Sequence, residues 1–233
     1  MPDHVTLTFV DHVAHIAIDD GKANALSHAI IDSLNDALDR AVATAKAVVL
    51  SGRPGRFSAG FDLSVMKGGP DAVRELVRAG ALVSMRLYEL ERPVVAACTG
   101  HALAAGAILL MSADVRIGAA GPFKIGLNEV AIGMPIPVFA AELARDRLSR
   151  RHLTAATALA TIYDPVGAVD AGYLDTIVAP DAVVDEALAR AATLAATLNQ
   201  RAFAGTRATM RGAVARHVRS TLDFDIGAFF VDA

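Results

Sequence analysis

One cysteine, Cys98, occurs in 233 residues. That excludes an intrachain disulfide and any metal site built from a cysteine cluster. The histidines offer no metal-ligand spacing either: His4, His12, His15, His28, His152 and His217 are scattered, and His101 stands in an uncharged run. No Gly-x-Ser-x-Gly sets a serine in a nucleophile elbow. Positive charge is not in excess. Lys and Arg number 22 against 25 Asp and Glu, a net charge of −3, so the basic field that drives nucleic-acid binding is missing. Met1-Pro2-Asp3-His4-Val5 lacks a basic region followed by an apolar core, so no export signal is visible and a cytoplasmic location is expected. No repeat, low-complexity tract or linker divides the chain.

From Pro93 to Ala113 charge is absent altogether, a length that invites a membrane span. The punctuation argues against one. Pro93 to Ala97 reads as a buried strand, Thr99-Gly100-His101 as a turn, and Leu103 to Ser112 as a short buried helix. A lipid-facing helix would not place Thr-Gly-His near its middle. The stretch reads as strand, loop and helix through a protein core, with no membrane partner.

What is present is apolar: 54% of residues are hydrophobic and the mean hydropathy is +0.42, ample for one full core. Val5, Leu7 and Phe9 alternate with polar residues, as do Ala14, Ile16 and Ile18, which predicts an opening hairpin. Ser27 is placed to cap a helix with Ile30, Ile31, Leu34, Leu38 and Val42 inward. Ala47 to Leu50 reads as a strand ended by Ser51-Gly52-Arg53-Pro54-Gly55. A helix is predicted over 71–91 with Val73, Leu76, Val77, Leu82 and Leu90 inward. Strands are predicted at 114–117, 123–125 and 173–178, and helical patterns at 138–148 and 154–160 and from Pro165. From Asp181 the chain reads as helical, with one break near Gly205 and looser order after Leu222. The class is therefore α/β over residues 1–180 and helical over 181–233.

Two small-residue turns and one carboxylate carry the chemical interest. Ser58-Ala59-Gly60 lies between an apolar strand and a polar segment, and Ala104-Ala105-Gly106 opens an apolar helix. Each alone reads as a tight turn or close helix packing. Together they can aim two backbone N–H groups at one oxygen, with the helix N-terminus adding partial positive charge. Glu129 stands in the otherwise apolar run from Ile125 to Ile132. It reads either as a turn cap or partner of Lys124, or as a base whose pKa burial would raise toward neutrality. Asp62 reads as a cap, Asp114 as a structural partner, and His101 as a hydrogen-bonded core histidine. A backbone oxyanion cradle with one buried base is what enolate chemistry on an acyl thioester requires.

Four segments, in order, resemble the crotonase superfamily, the enoyl-CoA hydratase/isomerase family: Gly21-Lys22-Ala23-Asn24-Ala25-Leu26, Phe57 to Leu63, Gly100 to Gly106, and Ile125-Gly126-Leu127-Asn128-Glu129. Ala171-Gly172-Tyr173-Leu174-Asp175 is similar to a late turn of that family. The resemblance implies a spiral of ββα turns, a C-terminal helical trimerisation region, and a homotrimer or dimer of trimers acting on acyl-CoA thioesters. It makes Phe61 and Ala105 the oxyanion donors, with Gly106 as the alternative to Ala105, and Glu129 the base. Lys22, Ala23, Ala25, Ala59, Gly60, Asp62 and Leu63 would line the CoA nucleotide and pantetheine. CoA would enter as part of the substrate, with no metal or other cofactor.

One departure from the pattern matters. Hydratases of the family use two glutamates, and the position of the first is here Ile108. Hydration needs a water to be oriented and deprotonated while a proton is returned to carbon, work that two carboxylates share. Single-glutamate isomerases of the family keep only the later residue. The sequence is therefore expected to specify a 3-enoyl-CoA to 2-enoyl-CoA isomerase, with a hydratase and an inactive acyl-CoA-binding protein as the other readings.

Overall fold

In the opening hairpin, alternation along the chain becomes alternation of burial except at Phe9, which is exposed. In the computed structural model, which describes residues 4–230, β1 (Val5–Val10) pairs antiparallel with β2 (Val13–Ile18) in the register Val5 to Ile18. The link is Asp11-His12, with Asp11 at φ +50°. Residues 1–3, part of the stretch read for an export signal, and residues 231–233, the end of the helical region, lie outside the described residues.

The chain continues through α1 (His28–Thr44), β3 (Ala47–Ser51), β4 (Gly55–Ser58), α2 (Leu63–Met66) and α3 (Pro70–Glu89). It then forms β5 (Val94–Cys98), β6 (Gly100–Leu103), α4 (Ala105–Ser112), β7 (Val115–Ala119) and β8 (Ile125–Gly126). A 3-10 turn (Val130–Ile132), α5 (Val138–Arg147), α6 (Leu153–Ala156), α7 (Pro165–Ala171), β9 (Thr176–Val178), α8 (Val183–Thr197) and α9 (Gln200–Ala228) complete it. Ser27 caps α1 as expected, accepting the Ile30 N–H.

Two sheets organise these elements. The larger has six strands in the order β1-β2-β3-β5-β7-β9, parallel except for the hairpin, and the smaller has the parallel order β4-β6-β8. Each turn of the chain places one strand in the large sheet, the next in the small sheet, and then a helix: β3-β4-α3, β5-β6-α4, β7-β8-α5. That is the expected spiral of ββα turns. The central strands β3 and β5 of the large sheet are buried on both faces, whereas the edge strands β1 and β9 are more exposed. Val48 and Leu50 join the main core, while Ala47 and Val49 meet Ala187, Ala191 and Ala195 of α8 on the other side, as a period of two requires. No helix among the described residues is long and apolar enough to cross a membrane.

Several sequence expectations need correction. Gly100 and His101 are not a turn but the start of β6, where the chain changes sheets. Gly100 is needed there because a Cβ would stand 2.0 Å from the Gly55 carbonyl carbon. The strand expected at 123–125 is Ile125–Gly126, and that at 173–178 is only Thr176–Val178. The helix expected at 154–160 is the single turn α6, followed by Ala160 at φ +48°. The C-terminal break falls at Leu198-Asn199, where the Asn199 side chain accepts the Ala202 N–H and caps α9. Gly205 lies inside α9, and order continues past Leu222 to Ala228. Leu82, expected inward, is 50% exposed.

Candidate active site

The small sheet positions the site. Its three strands are parallel, so β4, β6 and β8 deliver Ser58-Ala59-Gly60-Phe61, Ala104-Ala105-Gly106 and Leu127-Asn128-Glu129 from the same, carboxyl, edge. Crevices at that edge are where α/β sheets bind ligands.

The two small-residue turns touch. A Cβ on Gly60, at φ +99°, would lie 2.9 Å from the Ala104 Cβ and 3.5 Å from the Ala105 nitrogen. A Cβ on Gly106 would lie 2.3 Å from the Ser58 carbonyl oxygen. Ala104 carries φ +49° and ψ −123° with no side-chain cap bond, a conformation that costs a β-carbon residue about 1–3 kcal/mol. The bend it makes starts α4 directly over the end of β4.

On either side of Phe61 the backbone is engaged: the Leu26 N–H donates to the Gly60 carbonyl at 2.8 Å and the Asp62 N–H to the Leu26 carbonyl at 3.0 Å. The N–H groups of Phe61, Ala105 and Gly106 find no acceptor among the described residues. Free donors on two adjoining turns are what an anionic oxygen would need. The Phe61 ring lies over α3 at Gly80, where a Cβ would stand 2.4 Å from it.

Glu129 is 5% exposed. Its Oε2 has no hydrogen-bond partner among the described residues, and burial pushes its carboxyl up to about 7. Neither alternative role is realised: it makes no side-chain cap bond to the 3-10 turn, and among the described ion pairs it has none with Lys124. Ile108, three residues into α4 from Ala105, is buried in the main core.

Lys22, Ala23 and Ala25 lie on a loop laid against the first turn. The Ala23 carbonyl accepts the Ala59 N–H at 3.0 Å, and the Ala25 N–H donates to Asp20. Buried Asn24, at φ +53°, staples this loop to β4 by donating to the carbonyls of Ile18, Arg56 and Phe57. Asp62 is a cap, its carboxylate accepting from the Ser64 N–H at 2.8 Å. Leu63 opens α2 and is 67% exposed.

Asp114 is a structural partner, paired with Arg207 and Arg211 of α9 and accepting the Val94 N–H. His101 is hydrogen-bonded, accepting the Lys124 N–H at 3.0 Å, but it is not a core residue. Its ring is half-buried and stands perpendicular to the Phe123 ring, 5.4 Å between centroids. Sequence reasoning missed Asn24, Gly80 and the unpartnered Asn128 Oδ1. It also missed Tyr173, wholly buried, whose hydroxyl pKa is raised by burial and then by the nearby Glu129 charge. Asn24, Asn128 and Tyr173 all stand in the segments that resemble the family, which was the available signal; Gly80, inside a helix, gave none.

A family model described as enoyl-CoA hydratase/isomerase matches residues 8–230. The human mitochondrial enoyl-CoA delta isomerase 1 is 31% identical over 184 residues, covering 78% of this chain and 61% of its own length. A probable enoyl-CoA hydratase of Bacillus subtilis is 34% identical over 141 residues, covering 58% of this chain and 54% of its own. The chain thus matches little more than half the length of these curated relatives. Among solved structures, the apo form of an enoyl-CoA isomerase from Mtb is 40% identical with a TM-score of 0.93, covering 98% of this chain and all of the other.

Proposed function

The chain belongs to the enoyl-CoA hydratase/isomerase family, and within it we propose that this protein moves the double bond of a 3-enoyl-CoA into conjugation with the thioester. The thioester carbonyl sits between the N–H groups of Phe61 and Ala105. Glu129 takes a proton from C2, leaving a dienolate whose oxygen the two donors hold. The same carboxyl returns the proton at C4, so the bond shifts from C3–C4 to C2–C3 with no net gain or loss. A carboxyl near neutrality suits both halves of that exchange. The step calls for no metal or redox group, since CoA arrives on the substrate. Lys22, Ala23, Ala25, Ala59, Gly60, Asp62 and Leu63 form the shelf assigned to its nucleotide and pantetheine. We place the enzyme in a homotrimer or a dimer of trimers.

One observation carries the choice of isomerase: among the described residues Glu129 is the buried, unpartnered carboxylate at the sheet edge that carries the cradle, while the helix leaving the cradle has Ile108 instead of a second one. Apolar surface there excludes the water that hydration consumes. Turnover by the purified protein on 3-enoyl- and 2-enoyl-CoA of several lengths, followed by thioester absorbance and product mass, tests this reading. Silence on every thioester, with binding retained, would mark an acyl-CoA-binding protein instead.

A further inference from the structure

Glu129 is joined to α5 by a segment whose own backbone hydrogen bonds, among the described residues, reach only as far as Met134. Its carbonyl accepts the N–H groups of Ile132 and Met134, each at 3.0 Å, and Gly133 ends the 3-10 turn at φ +78°. Pro135-Ile136-Pro137 follows, two of its three residues lacking an N–H. Pro137 then starts α5 with no side-chain acceptor to offer the helix's free N–H groups. That acceptor comes from elsewhere. The Val138 N–H donates at 2.8 Å to Oδ2 of Asp225, 87 residues further on, near the end of α9.

α9 is well placed to act as a fixed point. Asp114 pairs with its Arg207 and Arg211, Arg211 also donates to the Tyr88 carbonyl at 2.7 Å, and Leu222, Ile226 and Phe229 around Asp225 are buried. A carboxylate at a helix N-terminus meets both an unsatisfied donor and the positive end of the helix dipole. Prolines transmit a fixed position along the chain better than flexible residues do.

We propose that Asp225 is a positioning residue for Glu129: by accepting the Val138 N–H it ties the end of α9 to the far end of the proline-containing segment that carries the base. This rests on Glu129 being the base of the reaction proposed above.

The test compares Asp225→Ala, Asp225→Asn, Val138→Pro and the double variant Asp225→Ala/Val138→Pro with wild type. Proline at the first helical position keeps the helix start but deletes the donor. Two readouts are used: kcat and KM measured separately, and the Glu129 carboxyl titration followed by carbon NMR, with Glu129→Gln to identify the signal. A small misplacement of a reacting group costs up to about 100-fold. Asp225→Ala and Val138→Pro should each lower kcat about tenfold with KM within about twofold, and the double variant should be no worse than either. Asn, whose amide oxygen still accepts, should restore most of kcat. The Glu129 midpoint should move in both single variants, a readout that stands without turnover. Wild-type kcat and an unmoved midpoint in Asp225→Ala and Val138→Pro would overturn the proposal. Undiminished turnover in Glu129→Gln would instead overturn the assignment of the base.

Discussion

Gly60 and Ala104 meet so closely that a Cβ on the glycine would stand 2.9 Å from the alanine's own. This contact joins the two turns whose free N–H groups form the candidate cradle. Gly60→Ala would add that clash to a strained φ of +99°. The variant should lose about 10²–10³-fold in kcat, the scale of a lost oxyanion donor. Ala104→Gly relieves its own φ of +49° and makes room, so the double variant should recover part of the loss. Steady-state kinetics of the three variants checks this.

Glu129→Gln should lower isomerase turnover by about 10²–10⁴-fold, the usual range for a lost general base, with acyl-CoA affinity retained in calorimetry. The pH dependence follows from the raised carboxyl. The folded protein holds the proton up to about 7 while the unfolded chain releases it near 4.5, so Glu129 ionisation destabilises the fold progressively between those values. The cost is on the order of 3 kcal/mol above pH 7. Denaturant titrations should therefore find Glu129→Gln more stable than wild type at pH 8, with the advantage gone below the unfolded-state pKa. Wild-type kcat/KM should rise with pH through a midpoint near 7.

Asp114→Ala would leave Arg207 and Arg211, both largely buried, without their shared carboxylate. Breaking a buried ion network from one side costs about 3–5 kcal/mol. A lowered denaturation midpoint with α9 loosened in hydrogen exchange is the expected result.

On α9 and just beyond it, Met210 is 73% exposed, Phe224 83% and Phe230 53%, large apolar groups that suit a subunit contact. Phe229, next to Phe230 in the chain, is instead buried within its own chain. Light scattering should give three or six copies, and Phe224→Ser should shift the distribution toward smaller species.

Much of the architecture was legible because burial follows period. The β1–β2 alternation, the α1 stripe and the Ser27 cap all follow from local sequence. β6 was not legible, because Gly100-His101-Ala102-Leu103 has little strand propensity and owes its form to pairing with β4 and β8. Gly205 misled because a glycine tolerated on an exposed helix face looks the same in sequence as one that ends a helix. At the site, the Ser58–Phe61 turn and Glu129 stood out as small residues and a lone charge among apolar ones. Asn24 beneath the loop and Asp225 at the start of α5 did not, since their partners are distant in sequence or are backbone carbonyls.

Ile108 is the residue on which the choice between isomerisation and hydration turns, and the ratio of those two wild-type activities on thioesters of matched chain length tests it most directly. The account predicts faster conversion of 3-enoyl- to 2-enoyl-CoA than hydration of 2-enoyl-CoA, and a ratio shifted toward hydration in Ile108→Glu. Efficient hydration of 2-enoyl-CoA by the unmodified protein would contradict it.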